Sequence, residues 1–283
     1  MRVVITGARG LLGVAIAREF GSNHEVLAFD RARLDITSNE AVETAIASSR
    51  PDVIINCGAY NDVDGAEDDP ARALRVNAFG VLALARAAAA AGAALVHFSS
   101  DFVFDGEADR PYSEEDRPNP RGVYAASKLL GEWFALESPR TYVLRVESLF
   151  GPAAPGGSRR GSLGTIVDRM REGAEVPVFV DRVVSPSYTP EIARAVRALL
   201  ERGVAPGLYH CVNDGHATWK EIAERAAALM DVDLRMRALT LETAHLRANR
   251  PRYCAMSNAK LAAAGIRMRS WNEALEEFLG CRA

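Results

Sequence analysis

Tyr124 and Lys128 stand four positions apart in the run Tyr124-Ala125-Ala126-Ser127-Lys128, downstream of Ser100, which closes an apolar run. In a helix, residues at that spacing lie one turn above each other on a single face. A phenol with an ordinary pKa of about 10 is a slow acid at neutral pH. A neighbouring ammonium favours the phenolate, and a phenol tuned in this way suits general acid catalysis. Either residue alone reads as a surface aromatic or a solvated lysine, whereas the pair reads as a proton-transfer device.

Such a device needs a hydride donor and elements to hold it. Arg2-Val3-Val4-Ile5-Thr6 has the composition of a buried strand, Gly7, Gly10 and Gly13 form a glycine turn, and Val14 to Phe20 continues as a helix. Glycines allow a tight turn and close approach to a pyrophosphate, and the helix start offers free N–H groups to the anion. The spacing Gly-x-x-Gly-x-x-Gly differs from the commoner Gly-x-Gly-x-x-Gly and alone marks only a tight turn. Beyond it, the runs 26–29, 53–55, 95–98 and 142–146 alternate with helix-like stretches 39–49, 70–91 and 124–137. This alternation predicts an α/β fold, a Rossmann-type doubly wound parallel sheet. The alanine-rich segment 83–94 is a helix by propensity, and 189–201 reads as a helix returning to the first domain. Thr218 with Glu221 forms a capping box for a helix over 218–230. Glycine and proline over 151–157 break the pattern, which divides the chain into a dinucleotide-binding domain, 1–150, and a lobe, 151–283.

Strand ends in such a sheet point at the cofactor crevice. Asp30 follows the second strand at roughly the 20-residue offset where an acidic side chain accepts ribose hydroxyls. That slightly favours NADH over NADPH, while Arg31 offers a partner for a 2′-phosphate. Cys57, Gly58, Ala59 and Tyr60 follow the third strand, where small residues let backbone approach a ligand or a packed helix. Ser99 and Ser100 end the fourth strand, and alternation lets only one of them point into the crevice.

With 283 residues, 48% of them hydrophobic, the chain can bury a large core. A net charge of −3 gives no electrostatic case for nucleic acid, and Arg159 and Arg160 belong to no basic block. No run of about 18 consecutive apolar residues suggests a membrane span, and no signal segment opens the chain, so the expected location is cytoplasmic. Cys57, Cys211, Cys254 and Cys281 match no zinc or redox spacing, and the expectation is four reduced thiols with no metal.

The glycine turn with Tyr-x-x-x-Lys makes the chain resemble an extended short-chain dehydrogenase/reductase. Within that group it is most similar to the dTDP-4-dehydrorhamnose reductase family. The likeness runs through Arg50-Pro51-Asp52-Val53-Ile54-Ile55-Asn56, Ala59-Tyr60-Asn61-Asp62-Val63-Asp64-Gly65-Ala66-Glu67 and Ser99-Ser100-Asp101-Phe102-Val103-Phe104-Asp105-Gly106. It continues in Ser185-Pro186-Ser187-Tyr188, Gly207-Leu208-Tyr209-His210, Arg250-Pro251, Ser257 to Leu261 and Trp271 to Leu275. The resemblance implies a smaller C-terminal α/β substrate-binding lobe and reduction of the 4-keto group of a nucleotide-linked deoxysugar by NADH or NADPH. Tyr124 would give its proton to the sugar oxygen. Ser100, where the family carries threonine, would bond the same oxygen, and Lys128 would lower the Tyr124 pKa and bind the nicotinamide ribose. Implied cofactor contacts are Gly7, Arg9, Gly10, Leu11, Leu12, Gly13, Asp30, Arg31, Asp35, Ile36, Cys57, Gly58, Ala59, Tyr60, Asn77, Ser99, Tyr124 and Lys128. Implied substrate contacts are Ser100, Val103, Phe104, Tyr124 and Arg250, with core packing the alternative for Val103 and Phe104.

Asp101-Phe102 replaces the Asp-Glu pair that dehydratases of the superfamily place after their threonine, which argues against dehydration. Two departures bear on the substrate. Ser148 stands where the rhamnose-type reductases have a tryptophan, and Arg160-Gly161-Ser162-Leu163 replaces an asparagine-rich run. A nucleotide-sugar epimerase and a non-catalytic NAD(P)-binding regulatory subunit of a methionine adenosyltransferase are the alternative readings. Expected partners are the nucleotide-sugar substrate, no nucleic acid and no membrane, with a homodimer left open.

Overall fold

The computed structural model describes residues 1–153 and 161–280. Its first half contains β1 (Arg2–Thr6), α1 (Leu11–Gly21), β2 (Glu25–Phe29), α2 (Asn39–Ser49), β3 (Val53–Asn56), α3 (Val63–Asp68), α4 (Pro70–Leu74) and α5 (Gly80–Ala91). β4 (Ala94–Ser100), α6 (Val123–Leu136) and β5 (Thr141–Val146) complete that half. The remainder begins with β6 (Leu149–Phe150), α7 (Gly161–Arg171), β7 (Val176–Phe179), β8 (Val183–Val184), β9 (Ser187–Tyr188), α8 (Thr189–Glu201) and β10 (Gly207–His210). It ends with β11 (Ala217–Thr218), α9 (Trp219–Met230), β12 (Met236–Leu239), α10 (Ala259–Ala263) and α11 (Trp271–Leu279).

Six strands pair in the order β10-β5-β4-β3-β1-β2, and each neighbouring pair is parallel. β3, β4 and β5 are buried at every position, the pattern of strands covered on both faces. Leu12, Ile16 and Phe20 of α1 join Ile192, Val196 and Leu199 of α8 on one face of the sheet. Val42 and Ile46 of α2 with Val81, Leu84 and Ala88 of α5 cover the other. The fold is a Rossmann-like α/β sheet whose chain leaves β1 to opposite sides, through β2 and β3. The carboxyl ends of β1 and β3 therefore border the crevice that such a switch point creates. A second core, built from Leu163, Val167 and Met170 of α7, Val176 and Val178 of β7 and Trp219, Ile222 and Ala226 of α9, fills the C-terminal lobe.

Local chemistry explains the element ends. Ser38 caps α2 by accepting from Ala41 N, and Arg50 at φ 46° closes it. Thr218 and Glu221 form the expected capping box at the start of α9. The alanine helix stops at Ala91 and does not reach Ala94, because Gly92 adopts φ 65° and caps it. Ala94 instead opens β4. Sequence reading also missed β10, whose four residues extend the main sheet beside β5. The segment Pro70–Ala91 is long and apolar enough to cross a membrane, with a mean hydropathy of 1.3, yet 56% of its most apolar window is buried in the protein. Arg75–Phe79, in its middle, forms one turn of π-helix. The break at 154–157, Arg159, Arg160 and Cys281 lie outside the described residues.

Candidate active site

The glycine turn is dictated by backbone contact. A Cβ on Gly7, at φ 64°, would lie 2.5 Å from Gly58 N, and one on Gly13 would lie 2.4 Å from Gly7 O. On Gly10 it would meet nothing nearer than Gly7 O at 3.2 Å. Gly7 and Gly13 thus close the turn onto β3 and α1, and Gly10 leaves the outer side clear for a pyrophosphate. The Leu12 side chain is a core residue packed under the turn, so only its backbone can serve an anion. Leu11 is half-buried.

At the tip of β2, Asp30 accepts a hydrogen bond from Arg33 N at 3.0 Å and faces the exposed guanidinium of Arg9 at 3.6 Å. Arg33 lies over Phe29, 5.1 Å from the ring centre, and Arg31 reaches Asp35 at 3.6 Å. Asp35 accepts from the Thr37 N–H and hydroxyl at 3.0 and 2.8 Å. These bonds, with Arg31 adding to them, hold its carboxyl below the usual range. The Ile36 side chain is turned into the core, where a Cβ on Gly80 would sit 3.0 Å from it.

Under the crevice, Thr6 donates to Asn56 Oδ1 at 2.7 Å, and Gly58 N donates to the same oxygen at 3.0 Å. Asn56 Nδ2 meets His97 Nδ1 at 3.2 Å. Burial, reinforced by the charge of Lys128, keeps His97 neutral by pushing its pKa well down. This network holds the loop Cys57-Gly58-Ala59-Tyr60 beside the glycine turn, while burial pushes the Cys57 thiol up. Asn77, in the π-turn, accepts from Tyr60 N at 2.8 Å and donates to Tyr60 O at 3.0 Å and Ser127 Oγ at 3.0 Å. It ties the β3 loop to the helix that carries Tyr124 and Lys128.

Ser100 ends β4, and its Oγ donates to Asp101 Oδ1 at 2.8 Å and accepts from Phe102 N at 3.2 Å. Its hydroxyl faces the phenol of Tyr124 and favours the phenolate, whereas Ser99 Oγ is buried without a hydrogen-bond partner among the described residues. The Tyr124 ring stands edge-on to Phe102, 5.4 Å away. Lys128, one turn along α6, is buried and donates from Nζ to Phe98 O at 2.6 Å. Burial lowers its pKa to about 8, with Glu132 opposing the shift. The expected lowering of the Tyr124 pKa by Lys128 is not what the protein shows. Burial raises it, the nearby Asp101 carboxylate adds to the rise, and the Ser100 hydroxyl opposes it.

Other expected substrate contacts lie elsewhere. Val103 and Phe104 pack in a core with Tyr112, Leu129, Val212 and Met256. Phe104 is stacked on Tyr112, ring centres 4.1 Å apart, beneath Arg145 at 4.9 Å. They are packing residues because the 3-10 turn Asp101–Val103 swings the chain away from the crevice into that core. Arg250 is spent on a two-bond pair with Asp64, at 3.0 and 2.7 Å, that clasps the C-terminal lobe to α3.

A glycine turn at the sheet's switch point, with serine, tyrosine and lysine gathered at the edge of β4, defines an oxidoreductase of the extended short-chain dehydrogenase/reductase class. Residues 1–281 match the RmlD substrate binding domain family, and the chain belongs to that family. It is 36% identical to a dTDP-4-dehydrorhamnose reductase of Mycolicibacterium smegmatis, over 98% of this chain and 84% of the relative. It is 34% identical to a probable dTDP-4,6-dihydroxy-2-methyloxan-3-one 4-ketoreductase of Streptomyces antibioticus, over 98% and 94%. Among solved structures, the dTDP-4-dehydrorhamnose reductase of Bacillus anthracis in complex with NADP superposes with a TM-score of 0.92 at 32% identity, covering 98% of each chain.

Proposed function

We propose that this protein is an NAD(P)H-dependent reductase of the 4-keto group of a dTDP-linked deoxysugar. The observation that carries the reading is the gathering of Ser100, Tyr124 and Lys128 beside the crevice that the glycine turn opens. The cradle fits a dinucleotide, since Gly7 and Gly13 admit no Cβ and Gly10 keeps its outer side clear. Both nicotinamide dinucleotides suit the sequence. The setting of Asp30 favours the phosphorylated one, because Arg9 already faces the carboxylate, and Arg31, 3.6 Å from Asp35, and Arg33, over the Phe29 ring, add positive charge at the same strand end.

When bound, the dinucleotide supplies hydride to the carbonyl carbon. Gly7, Gly10 and Gly13 hold its pyrophosphate, and the loop 57–60 borders its middle. Ser100 bonds the ketone oxygen and orients it, and Tyr124 gives that oxygen a proton. Lys128, one turn along the same helix, would supply positive charge as negative charge develops on the phenol and would bind the nicotinamide ribose. Residues 1–150 with helix 189–201 serve as the cofactor-binding part, and the segments after 151 serve mainly as the substrate lobe. Ser148, at φ 43°, takes the place of a large aromatic. The pocket therefore loses a stacking surface and accepts sugars other than dTDP-4-dehydrorhamnose.

The test is oxidation of NADPH and NADH against a panel of 4-keto dTDP-sugars. Turnover on at least one of them, with NADPH preferred, is the expected result. Interconversion of UDP-sugars without net cofactor oxidation, or no turnover at all, would sink the reading.

A further inference from the structure

One buried cluster has no part in the mechanism above. The parallel register pairs Ser100 with Val146, so the next residues, Asp101 and Glu147, emerge side by side at the carboxyl edge of the sheet. Both are buried, at 4% and 3% exposure. One oxygen of each lies within 4.8 Å of the other and of Cys254 Sγ. Asp101 Oδ1 is occupied by Ser100, and Glu147 Oε2 accepts from Ser185 N at 2.6 Å. Their other oxygens, Asp101 Oδ2 and Glu147 Oε1, are buried with no hydrogen-bond partner among the described residues. Among the described residues one cation faces them. Arg182 donates from Nη2 to Cys254 Sγ at 3.3 Å and from Nε to Pro251 O at 3.1 Å.

Charge counting is short by one proton. Two carboxylates against one guanidinium leave an uncompensated negative charge in a buried site, and two like charges at this range cannot both persist there. Cys254 does not supply the difference as an acid, since burial pushes its thiol well up. Tyr124 and Tyr253 are the other titratable groups facing the pair, and both phenols are raised by burial. The carboxyls themselves are displaced upward, with burial the largest cause for each.

We propose that Asp101 and Glu147 keep one proton between them, balanced by Arg182, and that Ser100 passes this proton to Tyr124 after the phenol has protonated the sugar oxygen. The transfer step rests on the reductase reading, whereas the stored proton rests on the buried geometry alone. In the step, Tyr124 O–H gives its proton to the ketone oxygen as hydride reaches the carbon. The phenolate takes the Ser100 hydroxyl proton, and the Asp101 carboxyl, turning its protonated oxygen from Glu147 toward Ser100, gives Ser100 a proton in return, so the resting hydrogen bond is reversed. The pair regains a proton from solvent after product leaves, which closes the balance of one hydride and one proton per ketone reduced. Asp101 and Glu147 act through Ser100 and touch no substrate.

Infrared spectra of the cofactor-free protein test the store directly. The wild type should show the carbonyl stretch of a protonated carboxyl at neutral pH, and Glu147→Gln and Asp101→Asn should each lose it, since a single carboxylate is balanced by Arg182. In steady-state reduction, both variants should keep KM and cofactor affinity while kcat falls on the order of 10²-fold with a changed pH profile, and a single turnover should stay fast. No protonated-carboxyl band in the wild type would overturn the proposal even if the protein reduces sugars well. Wild-type kcat and pH profile in both variants would overturn the relay. A band without turnover on any sugar would instead count against the reductase reading and leave the stored proton standing. Cofactor binding confirms that each variant is folded, and the wild-type spectrum decides the matter if neither is.

Discussion

Tyr124 sits where a short move of one proton matters, so its variants speak to chemistry more than to folding. Tyr124→Phe keeps the ring against Phe102 and should lower kcat about 10²–10⁴-fold with unchanged NADPH affinity. A loss below tenfold, measured at saturating substrate, would remove the phenol from the role of acid. Lys128 adds a pH signature. Because its pKa is brought down to about 8, its charge is present below that pH and lost above it, so kcat/KM should decline as pH rises through about 8. Lys128→Arg stays charged, and its alkaline limb should move upward. At this scale the sequence was readable where function depends on local spacing, as in the turn between Tyr124 and Lys128. It was unreadable where a side chain's direction depends on a distant partner. Val103 and Phe104 adjoin Ser100 in the chain, yet a core made of Tyr112, Val212 and Met256 claims them. The Thr6–Asn56–His97 network needs the register of three strands, which no local pattern records.

Turns and helices carry a different kind of prediction. Gly13→Ala places a methyl 2.4 Å from Gly7 O and 2.8 Å from Ala8 Cα, and backbone atoms cannot yield as a flexible side chain can. It should destabilise by about 1–3 kcal/mol and weaken dinucleotide binding, read by thermal unfolding and by fluorescence titration. Gly21→Ala, in the last turn of the same helix, meets nothing within 4 Å. It should stabilise by about 0.5–1 kcal/mol and leave binding unchanged. If both variants shift the melting temperature in the same direction, the contrast in backbone contact is not what decides. The helices 39–49 and 189–201 were legible because apolar spacing agrees there with a start signal, the Ser38 cap in one and Pro190 in the first turn of the other. Alanine propensity overran the true end at Gly92, since only the φ 65° cap tells the chain to stop. β10 went unseen because four residues beside β5 form a strand by pairing and not by composition.

Across the whole molecule, two buried histidines govern behaviour in acid. His97 is pushed well down by burial and Lys128, and His210 is pushed down to about 3 by burial and Arg145. Below pH about 6.5 the unfolded chain protonates these rings and the folded protein does not. Stability is therefore full above that pH and falls as pH drops toward 3, by at most about 1.4 kcal/mol per pH unit for each ring. Urea unfolding between pH 7 and 5 should show a shallower slope for His210→Asn than for the wild type. Asp101 and Glu147 tilt the curve the other way, so this difference, and not the absolute slope, is diagnostic. An identical slope in the variant would remove His210 from the account.

The π-turn at Arg75–Phe79 has a consequence for how the long helix is phased. Such a turn is one residue wedged into an otherwise regular spiral, and one residue is worth about 100° of rotation. The stretches before and after it consequently present different faces, the earlier one to α6 and the later one to both α6 and the sheet, with Asn77 at the dislocation. Excising a single amino acid there would bring the two stretches back into step and carry Asn77 away from Tyr60. No side-chain replacement could imitate that change.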